Sequence, residues 1–206
     1  MPSERRGVKI PPYFAQWESA TSVADFISGR DPATDPLWAG SGAASVEEYA
    51  LWAGHLCGMA CLKMFMAARG RLHPIQYFRR AVEAKGGYVT LPNGDIRGLI
   101  YAGAVDWLAE QGIPARTLLD LEAADIAPLL GEGRCFMASV HPTIRWPDRG
   151  EPPSRGGHLV LVFGQDEAGR LRFHNPSGDP PASQADARLA PADFARFFAG
   201  RGILLG

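Results

Sequence analysis

The stretch from Cys57 through Leu62, Phe65 and Met66 to Gly70 is apolar nearly all round at helical spacing. A helix of that kind is stable in water only where other elements wrap it on every side. Just before it, Ser45 and Glu48 have the spacing of a capping box that opens a preceding helix, and Gly54 is placed to end that helix. The central helix therefore begins with a cysteine in its first turn. With 206 residues the chain is long enough to bury a core around it, and a single domain over 1–206 is expected.

The rest of the chain reads as helices first and strands second. Ser19 to Ser28 is expected as a short helix, Gly29 to Gly42 as loop, Gly86 to Asp95 as loop or irregular hairpin, Leu99 to Gln111 as a helix, and Asp125 to Leu130 as a helical turn. From Arg134 the period changes: Arg134 to Val140, His158 to Phe163 and Arg170 to His174 read as strands bounded by Gly, Pro or Asp. The proline-rich run from Pro142 to Gly157 is long for a loop, the length at which lids and substrate-binding elements occur. Pro191 to Phe198 reads as a helix with Pro in its first turn. The pattern predicts an α+β fold, helical over about 1–130 and an antiparallel sheet over about 131–206.

A cysteine in the first turn of a helix faces the positive end of the helix dipole and unpaired backbone N–H groups, which stabilise a thiolate. Cys57 is expected as a nucleophile with a lowered pKa, and Gly58 after it keeps bulk away from the sulfur. A cysteine in an apolar helix is also an ordinary core residue. A nucleophile needs a base, and His158 follows Gly156 and Gly157 at the head of an apolar strand, where small residues permit close approach. His55, His73, His141 and His174 lack such an approach. Asn175, at the end of the next strand, is placed for its amide oxygen to fix the tautomer and direction of an imidazole, although Asn before Pro is also a common turn.

Charge and cysteine usage narrow the partners. The 21 basic and 22 acidic residues nearly cancel, with no run of five like charges, so neither nucleic acid nor an anionic membrane is expected. No apolar stretch follows the basic pair Arg5-Arg6, and nowhere do about eighteen apolar residues run together. Three cysteines do not make a disulfide framework. A soluble, cytoplasmic protein whose partner is a small molecule or a peptide is expected.

Taken together, CGMACLKM at 57–64, GGHLVLVFG at 156–164 and FHNPSG at 173–178 resemble the C39 peptidase family, in particular its stand-alone C39-like branch. The resemblance implies a papain-like fold and a cysteine hydrolase working through a thioester: Cys57 the nucleophile, His158 the base and acid, and Asn175, where the family more often has Asp, the orienting residue. It further implies that a glutamine upstream of the cysteine donates to the oxyanion, and Gln16 in PPYFAQW is the matching residue. About forty residues separate Gln16 from Cys57, so an insertion must loop out if it is to serve. A second departure is His55-Leu56 before the cysteine, where an Asp is common. No cofactor enters this reading.

Three other readings compete with hydrolysis. An amine or thiol intercepting the thioester would make an acyltransferase or peptide-cyclising enzyme. The departures from the family pattern suit a catalytically silent peptide-binding module on the same fold. A metal site from His55, Cys57, Cys61 and His73 has the right ligand types, but the spacing is not that of structural zinc. Cys61, four residues after Cys57, and Cys135 are expected to face the core.

Overall fold

The computed structural model describes residues 10–131 and 133–206. The basic pair Arg5-Arg6 lies outside them. After a 3-10 turn, α1 (Val23–Ile27) is followed by two further 3-10 turns, then α2 (Val46–Ala53) and α3 (Cys57–Ala67). The two helices meet at 99°, so Cys57 opens α3 at a corner of the chain. Ser45 accepts the Glu48 N–H at 3.2 Å, half of the expected capping box. The Glu48 carboxylate instead takes the Ala44 N–H and holds Arg79 and Arg80.

Gly58 to Met66 are all buried, Lys63 included. They are wrapped by α4 (Ile75–Glu83), by α5 (Tyr101–Glu110) beyond a small hairpin of β1 (Val89–Thr90) and β2 (Ile96–Arg97), and by one face of the sheet. No single helix among the described residues is long and apolar enough to cross a membrane.

The sheet has six antiparallel strands: β3 (Ala115–Leu118), β4 (Cys135–Val140), β5 (His158–Gln165), β6 (Leu171–His174), β7 (Ala187–Leu189) and β8 (Phe198–Leu205), in the order β3-β8-β4-β5-β6-β7. The period-2 alternation of strands divides its residues between two cores. Met137, Leu159, Leu161, Phe163, Ile203 and Leu205 pack on α3 to α5. Phe136, Ala138, Val140, Val160, Val162 and Leu204 pack on the opposite face with Phe173, Phe194 and Phe197. Two short helices, α6 (Ile126–Leu129) and α7 (Pro191–Ala195), lie on that second side.

Three strands and two helices differ from expectation. The helix opened by Pro191 stops at Ala195, and Phe198 already begins β8. In FAGRGILL the glycines break the alternation that marks a strand, and Gly202 is needed for packing: a Cβ on it would strike the Met137 carbonyl and lie 2.6 Å from Phe136 Cζ. β8 thus runs hard against β4. β3 arises within the part expected to be helical, and β7 and α4 went unread.

Candidate active site

α3 begins at Cys57 with Leu56 before it, and Leu56 is fully buried. Cys57 is half-buried and lines a cleft of about 630 Å³ together with His158, Leu159, Ser139 and Leu99. Gly58 is required there, because an added Cβ would lie 2.8 Å from Leu99 Cδ2 and 3.0 Å from Leu159 Cδ1. The opposite wall is built by the start of β5. Gly156 and Gly157 have φ of +89° and +92°, left-handed conformations that side chains resist, and they turn the chain into His158. Beside it β4 shifts register against β8 between Ala138 and Val140, and Ser139 at that bulge faces the cleft.

His158 is 5% exposed, and its Nε2 lies 2.8 Å from Asn175 Oδ1. The same Oδ1 accepts the Ser177 N–H at 3.1 Å. A backbone N–H can only donate, so this atom must be the amide oxygen, and Nε2 of His158 must carry the proton. Nδ1 is then the nitrogen with an open lone pair, the tautomer a general base needs. Ser177 Oγ, 3.2 Å from Nε2, accepts from Arg145 Nη2 at 2.7 Å. The turn after β6 therefore grips the imidazole through two residues.

Gln16 reaches the same region despite the long insertion. Its backbone N–H donates to the Pro176 carbonyl at 3.0 Å, and its Nε2 donates to the Ala53 carbonyl at 3.0 Å, at the end of α2. Neighbouring residues fasten this segment: Tyr13 donates to the Asn175 carbonyl, His174 Nε2 to the Pro11 carbonyl, and Lys63 of α3 pairs with Glu18 and sits over Phe14. The intervening residues form a small core of their own with Trp17, Phe26 and Tyr49. Buried Asp35 organises it by accepting from Ser19, Leu37 and the Tyr49 hydroxyl. Burial pushes the Asp35 carboxyl up, but those hydrogen bonds outweigh it and hold the group below its ordinary range.

The electrostatics correct one expectation. Burial pushes the Cys57 thiol up, more than the backbone N–H groups of Leu159, Gly58 and Cys57 itself and the charge of Arg145 pull it down. The helix start does act in the expected direction, and desolvation exceeds it. His158 is driven down to about 4 by burial; the Asn175 bond opposes this and Arg145 adds to it. Cys57 and His158 share the cleft without a direct hydrogen bond, and burial disfavours the charged form of each.

The other residues singled out are placed as follows. Cys61 is buried and its thiol points to the Leu159 carbonyl at 3.6 Å, while Cys135 is buried in β4. His55 lines the cleft, whereas His73 stacks on Tyr77 with ring centroids 4.2 Å apart. The long loop from Pro142 is no free lid: Arg145 and Trp146 bind Ser177 and Asp179, and Arg196 takes the Pro147 and Gly150 carbonyls. Arg145 and Ser177 were not foreseen. The place of Ser177 has a readable signal, since an Asn side chain readily accepts the backbone N–H two residues on in an Asx turn; Arg145 has none.

No family model matches the sequence, and no curated protein matches it. Solved structures do. The peptidase domain of Streptococcus ComA, a bi-functional ABC transporter involved in a quorum sensing pathway, is 19% identical, with TM-score 0.52 over 74% of this chain and 92% of that one. A protein from Bacillus anthracis described as a C39-like peptidase is 12% identical, with TM-score 0.54 over 74% of this chain and 88% of that one. The chain thus has the fold of C39 peptidase domains, an α+β papain-like fold.

Proposed function

We propose that the chain is a cysteine hydrolase that cleaves an amide or ester bond of a peptide, with Cys57 as nucleophile, His158 as general base and acid, and Asn175 as the orienting residue. The observation that carries this reading is the tautomer: Asn175 Oδ1, fixed by the Ser177 N–H, holds the proton of His158 on Nε2 and leaves Nδ1 open in a cleft shared with Cys57. In the proposed cycle Nδ1 takes the thiol proton as Sγ bonds to the substrate carbonyl carbon and the C=O pair moves onto oxygen. The oxyanion is held by the N–H of Cys57 and by the second Nε2 hydrogen of Gln16, the first being donated to Ala53. Collapse returns the proton to the departing amine or alcohol. Water deprotonated by His158 then hydrolyses the thioester, and an amine or thiol in its place would make the enzyme an acyltransferase.

The proposal includes a cytoplasmic location, which three free cysteines suit. A silent peptide-binding module is the second reading, favoured by the raised thiol and the lack of a Cys57–His158 hydrogen bond. A panel of peptide amides and activated peptide esters, turned over by the wild type and by Cys57→Ala and His158→Ala, separates the two. A hydrolase loses about a thousandfold or more in kcat/KM in either variant. Equal rates in wild type and Cys57→Ala, or no turnover by any protein, would refute it.

A further inference from the structure

The cleft beside Cys57 is lined by two arginines that the proposed chemistry does not use. Arg97, from β2, stands two residues before Leu99, the side chain that closes over Gly58. Arg201, from β8, comes from the other wall: a Cβ on Gly156, two residues before His158, would lie 3.2 Å from Arg201 Nη2. Both are exposed, and among the described residues neither makes an ion pair. What sets them apart from the other unpaired arginines is their place in the lining of the cleft that holds Cys57 and His158. No Asp or Glu lines the cleft; Asp95 acts electrostatically on His55, one of its lining residues, and Glu122 lines a second pocket that Arg201 also borders. The chain as a whole carries a formal net charge of −1, so a cleft of this sign is a local arrangement and not a consequence of overall basicity.

From this we infer that Arg97 and Arg201 bind a carboxylate of the substrate close to the scissile bond. Two planar forks lining one concave site, with Leu99, Leu119 and Leu159 also in its lining, suit carboxylate recognition. The inference deepens the proposed function and rests on Cys57 being the thiol reached through this cleft. A carboxylate reaches such a site from an acidic side chain or from the free end of a peptide, and both offer the same chemistry.

The test compares two alkylating agents of nearly equal size, anionic iodoacetate and neutral iodoacetamide. Each is applied to the full chain at about pH 8 and low salt, with peptide mapping of Cys57 and glutathione as the reference thiol. The iodoacetate-to-iodoacetamide rate ratio at Cys57 is expected to exceed that of glutathione by roughly three- to tenfold, and to fall towards it at about 0.5 M salt. Arg97→Gln with Arg201→Gln is expected to abolish the excess. A wild-type ratio equal to that of glutathione, or an excess that survives in the double variant and so comes from Arg145, overturns the inference. This readout needs no turnover, so its failure is distinct from failure of the hydrolase reading. Where turnover is found, Glu-to-Gln replacement in the peptide and amidation of its end identify which carboxylate is bound.

Discussion

Lowering the pH is expected to destabilise this fold through His158. The imidazole is buried and neutral, with a pKa of about 4 against 6.5 for the ordinary side chain. The unfolded chain therefore takes up a proton at His158 well before the folded chain does. The stabilisation is fully present above pH 6.5 and is lost as the pH falls through 4. That interval corresponds to roughly 3 kcal/mol, a large part of the roughly 5–15 kcal/mol that holds a domain together. Urea unfolding at about pH 7 and pH 4 measures it, in the wild type and in His158→Gln, which cannot titrate. His55 and His174, also held down by burial, and Asp35 and Asp186, held down by hydrogen bonds, lose stability in the same direction, but they do so equally in both proteins. The wild type is expected to lose about 3 kcal/mol more than the variant. A difference below about 0.5 kcal/mol would refute a buried neutral His158.

Three further outcomes follow from the same geometry. Asn175→Asp puts a carboxylate 2.8 Å from Nε2 and is expected to raise the His158 pKa, moving the acid limb of the kcat/KM profile up by about 1–3 pH units; an unmoved limb contradicts the assigned contact. Gln16→Ala is expected to lower kcat by roughly ten- to a thousandfold while the thermal midpoint drops only slightly, and an unchanged kcat would remove Gln16 from the oxyanion site. Asp35→Ala leaves the Tyr49 hydroxyl and the Ser19 and Leu37 N–H groups without their acceptor. It is expected to cost about 3 kcal/mol or more in urea unfolding, and a cost below about 1 kcal/mol would show that the insertion is not organised around this residue.

The sequence made the central helix, its cysteine and the strand headed by His158 legible, because each has a local signature: an apolar helical period, a cap, and a glycine pair before an apolar run. β8 was hidden because Gly202 answers to the neighbouring strand β4 and Gly200 to a left-handed backbone beside Leu121, not to a strand pattern. α4 was missed although its buried residues Ile75, Phe78 and Val82 have helical spacing; it opens at Pro74 without a side-chain cap. The expected reach of Gln16 depended on whether some forty residues could loop out. They do so by folding on Asp35 and Tyr49, contacts 14 or more residues apart that no local pattern announces. The raised thiol of Cys57 likewise came from desolvation by surrounding elements, which a reading of the helix start alone omits.

The central claim, that Cys57 is an acyl-accepting nucleophile served by His158, is tested most directly by intact-mass analysis of the protein quenched during turnover of an activated peptide ester. The account predicts the mass of one acyl group, mapped to Cys57, absent in Cys57→Ala and slow both to form and to hydrolyse in His158→Ala. Ester turnover without an adduct and undiminished in Cys57→Ala, or peptide binding with neither adduct nor turnover, would contradict it.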